Sequence, residues 1–154
     1  MPLEIERKYL VTGMEWKQSA SKPVRLCQKY IPLAAEQKGV IRIRIAGEKA
    51  FLTLKTPQVG ISRGEFEYEI PPKDAEELME TFCPGHAVDK LRYIVEYEGK
   101  KWEIDEFLGS HAGLILAEIE LSDAEESFAV PPWIGKEVSG DFHYSNSYLA
   151  GHPK

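Results

Sequence analysis

Acidic and basic side chains recur at every second position near the start of the chain. Glu4, Glu6 and Lys8 would therefore share one face of an extended strand. Two carboxylates at this spacing suit a hard divalent cation such as Mg²⁺ or Mn²⁺, which prefers oxygen ligands. A lysine beside them suits a phosphate oxygen. By themselves, the three residues fit equally well the solvated face of a half-buried sheet.

The same spacing recurs along the chain, and each later segment carries one sign of charge. The basic positions are Arg42, Arg44, Lys55, Lys90 and Arg92. The acidic positions are Glu65, Glu67, Glu69, Glu103, Asp105, Glu118 and Glu120. A face that serves only solubility more often mixes both signs with neutral polar residues. If the strands close into a barrel, these charges line an interior that suits a polyanion together with metal ions.

Eight segments with apolar residues at alternate positions are predicted to be the strands that carry these charges. They are residues 3–11, 25–31, 40–46, 50–56, 65–70, 90–97, 101–107 and 114–121. Helical spacing predicts a helix over residues 73–82, and a capping-box pattern at Ser122 to Glu125 predicts the start of a short second helix. A last turn is predicted at residues 146–150. No linker or repeat divides residues 1–154, which are expected to form a single domain.

Composition limits the partners that such a domain can have. The formal net charge of −6 argues against nonspecific nucleic-acid binding, but it allows a small anion bound in a basic cavity. No apolar run approaches the roughly 18 residues needed to cross a membrane, so no membrane association is expected. The start of the chain does not resemble a secretory signal. Cys27 and Cys83 lie far apart, which favours two free thiols and a cytoplasmic location.

Several other chemistries lack their motifs in this sequence. The four histidines show no metal-binding spacing, which argues against a zinc site. None of the glycines lies in a P-loop pattern, so triphosphate binding of the P-loop kind is not expected. Ser62 and Ser145 have no evident base partner, which argues against serine hydrolysis.

Taken in order, the charged motifs resemble those of the CYTH superfamily, the triphosphate tunnel metalloenzymes, and in particular its short bacterial members. The matching elements are Glu4-x-Glu6-x-Lys8, Gln28-x-Tyr30, Arg42-x-Arg44, Lys55, Glu65-x-Glu67, Lys90-x-Arg92, Asp105, Glu118-x-Glu120 and the tail from Gly140. They run from residue 4 to about residue 150. A single ExExK motif is weak, whereas eight ordered elements are specific.

The resemblance implies a mainly β protein of the α+β class: an eight-stranded antiparallel closed barrel with a few flanking helices. It implies triphosphate-binding roles for Lys8, Arg42, Arg44, Lys55, Lys90 and Arg92. It implies metal-binding roles for Glu4, Glu6, Glu65, Glu67, Asp105, Glu118 and Glu120, with Mg²⁺ or Mn²⁺ as the cofactor. It also implies catalytic roles for Glu4 and for Tyr30 and Lys90, an interacting pair near the reacting phosphate. Tyr30 could equally be a structural residue of the wall.

The function that this resemblance favours is metal-dependent hydrolysis of inorganic tripolyphosphate to pyrophosphate and phosphate, as in an inorganic triphosphatase. Nucleoside triphosphatase, thiamine triphosphatase and adenylate cyclase activities share the same motifs and remain alternatives. An alternative of another class is a noncatalytic module that binds polyphosphate or nucleotides.

The outward apolar faces of the barrel need cover, either from helices or from a second subunit in a homodimer.

Overall fold

Nine strands and two helices make up the computed structural model, which describes residues 2–153. The strands are β1 (Leu3–Val11), β2 (Val24–Tyr30), β3 (Val40–Ala46), β4 (Lys49–Lys55), β5 (Ser62–Ile70), β6 (Val88–Tyr97), β7 (Lys100–Phe107), β8 (Ile115–Glu120) and β9 (Ile134–Glu137). The helices are α1 (Pro72–Phe82) and α2 (Asn146–Gly151). Short 3-10 turns lie at Glu15–Ser19, Gly109–His111 and Phe142–Tyr144. The described residues include no helix that has the length and apolar character to cross a membrane.

The sheet closes into a barrel because β1 pairs with strands on both of its edges. Its first residues pair with β5 (Leu3 opposite Gly64), and its middle pairs with β8 (Lys8 opposite Glu118). The order of the barrel strands is β5-β4-β3-β2-β6-β7-β8-β1, β9 is added beside β1, and every pairing is antiparallel. The predicted eight-stranded antiparallel closed barrel is confirmed.

The predicted strand positions agree closely with the observed ones, and the hairpin between β6 and β7 shows why. Glu98 and Gly99 form its two-residue turn and have φ values of 48° and 78°. Positive φ at both turn residues gives the twist that suits two antiparallel strands. The largest difference in extent is β5, which begins at Ser62 rather than at residue 65. This difference adds Arg63 to the strand.

The outward apolar side chains are covered by other parts of the same chain. Helix α1 places Ala75 and Met79 against Ile43 of β3. The 3-10 turn at Glu15–Ser19 places Trp16, which is fully buried, in a second cluster around Trp102 of β7. Helix α2 completes a third cluster. At these clusters the chain itself supplies the cover that the outward apolar faces need, and the predicted homodimer stays a prediction.

Two features of the segment after β8 differ from the prediction. The helix predicted to start at Ser122 is wrong: the segment is a turn, in which the backbone N–H and the hydroxyl of Ser122 both donate to the Glu126 carboxylate. The chain then stays extended and packs Phe128 and Trp133 against Trp102. Strand β9 follows and pairs with β1, a pairing that the prediction missed. Burial of two aromatic side chains outweighs the local helix signal here.

Candidate active site

The interior of the barrel contains a polar cavity of about 260 Å³. Its wall consists of Glu4, Glu6, Lys8, Tyr30, Val40, Arg42, Arg44, Lys55, Arg63, Glu65, Glu67, Arg92, Glu103, Glu118, Glu120, Ser145, Asn146 and Ser147. All residues predicted for the site line this wall except Lys90 and Asp105, which are buried behind it. Neighbouring cavities of about 230 and 290 Å³ share part of the wall.

Strand alternation places opposite charges next to each other across the barrel wall. Lys8 lies directly opposite Glu118, and its Nζ is 3.7 Å from the carboxylate. Lys55 lies opposite Glu65, with its Nζ 3.4 Å from Glu65 and 3.1 Å from both oxygens of Glu4. Cross-strand pairs of opposite charge stabilise a sheet, and burial inside a barrel strengthens their attraction.

The acids on β1 and β8 also crowd one another. Burial raises the pKa of Glu6 well above its usual value, and the charges of Glu118 and Glu4 raise it further. A hydrogen bond between the Glu6 and Glu118 carboxyls adds to this rise. Burial also acts to raise the pKa of Glu118, but Lys8 and Arg92 outweigh it and lower that pKa to about 2. Of the two carboxyls, Glu6 therefore keeps its proton to higher pH than Glu118 does.

A second acidic pair lies on the neighbouring part of the wall. Burial raises the pKa of Glu65, and a hydrogen bond with Glu4 and the charge of Glu4 add to the rise. Lys55 opposes it. Two carboxyl groups in contact are groups that a divalent cation would stabilise in their charged form.

Two arginines of β3 supply positive charge with unused donor groups. Arg42 is buried, and its Nε has no hydrogen-bond partner among residues 2–153. Its Nη2 makes long contacts of 3.3 Å to Thr53 and 3.4 Å to Glu67. Burial, together with Arg42 and Arg92, lowers the pKa of Arg44 to about 10, so Arg44 remains a cation at neutral pH. A buried donor without a partner is costly, and an anion in the cavity would satisfy it.

Behind the wall, Asp105 is fully engaged with two cations. Arg92 donates from Nε and Nη2 to its two oxygens, each at 2.8 Å, and the Nζ of Lys90 lies 2.7 Å from it. Burial alone would raise the pKa of Asp105, but Arg92 and Lys90 hold it far below the usual range. Burial, with help from Arg92 and Arg44, lowers the pKa of Lys90 to about 7. Asp105 thus fixes the position of Arg92 on the wall.

Tyr30 lines the cavity, but its hydrogen bond is not to Lys90. Its hydroxyl accepts a 2.7 Å hydrogen bond from the side-chain amide of Gln28. In the described part of the chain, no hydrogen bond joins Tyr30 to Lys90, whose amine contacts Asp105 and Asn146. The interaction predicted between Tyr30 and Lys90 therefore stays a prediction.

The segment before and within α2 reaches the cavity wall, which the sequence prediction did not include. Asn146 accepts a 2.9 Å hydrogen bond from Lys90, and the backbone carbonyl of Tyr144 accepts one of 3.2 Å from Lys8. Packing of Leu149 and Ala150 against the barrel holds this segment in place. Arg63 was also missed, although its alternation with Glu65 was a signal that could have identified it.

The donors on the wall fit a hard divalent cation that is shared with a phosphate ligand. Among residues 2–153, no three Asp, Glu, His or Cys side chains form a ready-made metal cage. The acids stand in pairs instead, as Glu6 with Glu118 and Glu4 with Glu65. Mg²⁺ is usually held in this way, by one or two carboxylates together with phosphate oxygens and water.

Comparisons with known proteins agree with this geometry. Residues 2–148 match the family model of the CYTH domain. An inorganic triphosphatase of Acetivibrio thermocellus is 45% identical over 153 residues, which cover 99% of this chain and 96% of that protein. An inorganic triphosphatase of Nitrosomonas europaea is 36% identical over 150 residues, which cover 96% of each protein.

Solved structures have the same architecture. The crystal structure of an inorganic triphosphatase superimposes with a TM-score of 0.70 and 34% identity, covering all of this chain and 99% of the other. A putative adenylyl cyclase from Hippeastrum, described as having a dominant triphosphatase activity, superimposes with a TM-score of 0.63. It is 19% identical over 79% of this chain and 81% of its own, so this second match supports the fold alone.

Proposed function

The chain belongs to the CYTH family, and on that basis we propose that it is a metal-dependent triphosphatase that hydrolyses inorganic tripolyphosphate to pyrophosphate and phosphate. One observation carries the proposal: acids in contact with one another and basic side chains with unused donors line the same cavity inside the barrel. The inorganic triphosphatases of similar length and sequence support the choice of substrate.

The basic side chains of the wall would bind the phosphate chain. Arg42 and Arg44 offer guanidinium donors, and Lys8, Lys55 and Arg92 complete the set that faces the acids. Guanidinium groups suit phosphate oxygens because they donate two parallel hydrogen bonds. Their attraction for the ligand is stronger inside the barrel than at an exposed surface, because the surrounding protein lowers the effective dielectric constant.

The acidic pairs would hold the metal ion. Glu6 and Glu118 are the first candidates, with Glu4, Glu65, Glu67 and Glu120 as further ligands. The predicted ligand Asp105 lies behind the wall with both oxygens bonded to Arg92, so we assign it the positioning of Arg92 instead. When bound, Mg²⁺ or Mn²⁺ would offset phosphate charge and lower the pKa of bound water.

The residues of the chain would contribute orientation and charge stabilisation to an in-line displacement at a terminal phosphorus. Arg44 and Arg92 would stabilise the charge that spreads over the transferred phosphoryl oxygens. Glu4 or Glu120 would orient the attacking water by accepting its hydrogen bond. Lys90, with its pKa lowered to about 7, has a proton to exchange near neutral pH, but in the contacts described it acts through Asp105 and Asn146.

A substrate panel tests this proposal. Tripolyphosphate, ATP, GTP, thiamine triphosphate and pyrophosphate are each incubated with Mg²⁺, Mn²⁺ or Ca²⁺, and released phosphate is measured. Tripolyphosphate is expected to give the highest kcat/KM. A higher value for a nucleoside or thiamine triphosphate would replace the proposed substrate. Tight binding in calorimetry without any phosphate release would instead indicate a noncatalytic binding module.

We propose the cytoplasm as the place of action. The two cysteines are free thiols rather than a disulfide, as expected in a reducing compartment. Cys83 is buried and Cys27 partly buried, and burial raises the pKa of both thiols, which makes them poor nucleophiles.

A further inference from the structure

Gln28 is a fully buried polar side chain between two residues of the cavity wall. Its Oε1 is 2.7 Å from Nε of Arg44, and its Nε2 is 2.7 Å from the hydroxyl of Tyr30. Its own side chain has no exposed surface and does not line the cavity. Gln28 therefore cannot touch a ligand, but it joins two groups that can.

The direction of both hydrogen bonds follows from the chemistry of arginine. A guanidinium group only donates hydrogen bonds, so the atom of Gln28 that faces Arg44 must be its carbonyl oxygen. The amide nitrogen of Gln28 then faces Tyr30 and can only donate. The Tyr30 oxygen is thus an acceptor in this bond, and its own proton is left for another partner.

The position of Tyr30 indicates where that proton is directed. The Tyr30 side chain lines the cavity, and Tyr30 lies opposite Arg42 on the neighbouring strand. Among residues 2–153, its hydroxyl donates no hydrogen bond to the protein. The space in front of it is the cavity that the proposed phosphate chain would occupy.

We propose that Gln28 is a positioning residue that makes Tyr30 a hydrogen-bond donor toward a phosphate oxygen of the substrate. Arg44 fixes the orientation of the Gln28 amide. The amide N–H of Gln28 makes the Tyr30 oxygen a hydrogen-bond acceptor, so the hydroxyl proton of Tyr30 is free to point to the ligand. This inference rests on the proposed triphosphatase function, because it requires a phosphate chain in the cavity.

The test reverses the polarity of one bond while leaving the shape unchanged. In Gln28→Glu, the carboxylate still accepts from Arg44, but it also accepts from Tyr30 and draws the tyrosine proton away from the cavity. We expect Gln28→Glu to show the same changes in kcat and KM as Tyr30→Phe, each lowering kcat/KM roughly 10- to 100-fold. Arg25→Ala, on the outer face of the same strand, is the control and is expected to match the wild type.

A double-mutant cycle separates loss of the donor from simple charge repulsion. If Gln28 acts through Tyr30, Gln28→Glu has little further effect in a Tyr30→Phe background. An undiminished effect in that background would overturn the proposal, since repulsion of the substrate would then explain the loss. Wild-type kinetics in Tyr30→Phe, or a Gln28→Glu profile that follows Arg44→Ala instead, would also overturn it.

Two additions keep the test decisive. Calorimetry of tripolyphosphate binding in EDTA repeats the cycle without turnover. It still reports on Gln28 if the assays with Mg²⁺ or Mn²⁺ show no hydrolysis and so reject the proposed function. Thermal unfolding checks that each variant is folded. If Gln28→Glu does not fold, the uncharged and similarly sized Gln28→Met takes its place, and an effect that is equal with and without the Tyr30 hydroxyl would count against the proposal.

Discussion

The pKa values of buried carboxyl groups are shifted in opposite directions in two parts of the barrel. On β1 and β8, the carboxyls of Glu6 and Glu118 lie close together, and the pKa of Glu6 is raised by burial and by its acidic neighbours. On β6 and β7, Asp105 is bonded to Arg92 and Lys90, and its pKa is held low. The first region is unbalanced, with Glu4, Glu6 and Glu118 against Lys8 and Lys55. The second is balanced, with Asp105 and Glu103 against Lys90 and Arg92.

The contrast separates acids that fit a metal ion from acids that hold the protein together. A buried like-charge pair is costly unless a proton or a cation neutralises it. An acid with two cationic partners needs no further ligand and serves to fix those partners. Both kinds of acid lie on the inward faces of strands, so only their partners distinguish them.

The largest effect is expected from Glu6→Gln, which removes a charge from the unbalanced region. Activity is expected to fall more than a hundredfold, because the metal loses a ligand that faces the phosphate. The free energy of unfolding is expected to stay the same or rise, since a like-charge contact disappears. The measurements are steady-state phosphate release and chemical denaturation, with Glu76→Gln on the exposed side of α1 as the control. Near-wild-type activity would remove Glu6 from the site.

In the balanced region around Asp105, the large effect is expected in stability. Asp105→Asn leaves Lys90 and Arg92 buried without their carboxylate and should lower the free energy of unfolding by about 3–5 kcal/mol. Urea denaturation of this variant beside Glu6→Gln makes the comparison direct. Equal stability of the two variants would show that the two regions do not differ in the way described.

Metal binding is expected to act on the unbalanced region alone. Mg²⁺ at about a hundred times its Kd stabilises the protein by about 2.7 kcal/mol, which corresponds to a rise in Tm of roughly 5–10 °C. The rise should be absent in Glu6→Gln and present in the outer-surface variant Arg25→Ala. Hydrolysis should stop in excess EDTA and return with Mg²⁺ or Mn²⁺. Full activity in EDTA contradicts the metal requirement.

The smallest effect is a difference in pH dependence, measured without metal. The raised pKa of Glu6 means that the native state keeps a proton that the unfolded chain releases, so this group lowers stability as pH rises above the usual glutamate range. In EDTA, the wild type should lose stability relative to Glu6→Gln as the pH rises above the usual glutamate range toward the raised pKa of Glu6, by at most about 1.4 kcal/mol per pH unit. A constant difference across this range would show that Glu6 is ionised throughout.

Asp105 and Glu118 contribute with the opposite sign. Their lowered pKa values stabilise the protein above the usual carboxylate range, and this contribution is lost only as the pH falls through those lowered values. Both variants in the comparison keep these two residues. Their lowered pKa values lie below the pH range of the comparison, so their titration does not contribute to the difference between wild type and Glu6→Gln there.

Much of the site followed from alternation in the sequence. A strand has a period of two, so the inward face of Glu4, Glu6 and Lys8 could be predicted before closure of the barrel was known. The same argument placed Arg42 and Arg44 on the wall. Arg63 was missed because the predicted strand begins at residue 65, whereas β5 begins at Ser62 and extends the alternation to Arg63.

Other parts of the molecule had no local signal. Asn146 reaches the wall because α2 packs against strands that are distant in sequence, and its partner Lys90 is 56 positions away. The turn at Ser122 has a capping pattern but forms no helix, because Phe128 and Trp133 in the chain beyond it pack against Trp102. Contacts of this kind depend on how the whole chain packs, and no short segment encodes them.

The sequence by itself determined the strands, their inward charges and the family, because side-chain alternation and motif order are local properties of the chain. Only the tertiary structure decided which charges meet. Closure of β1 between β5 and β8 places Glu6 close to Glu118 and Lys55 close to Glu4. The pairing of β6 with β7 places Asp105 opposite Arg92. The pKa of each acid, and with it the division between metal-binding and supporting roles, depends on distances of a few ångströms between remote residues.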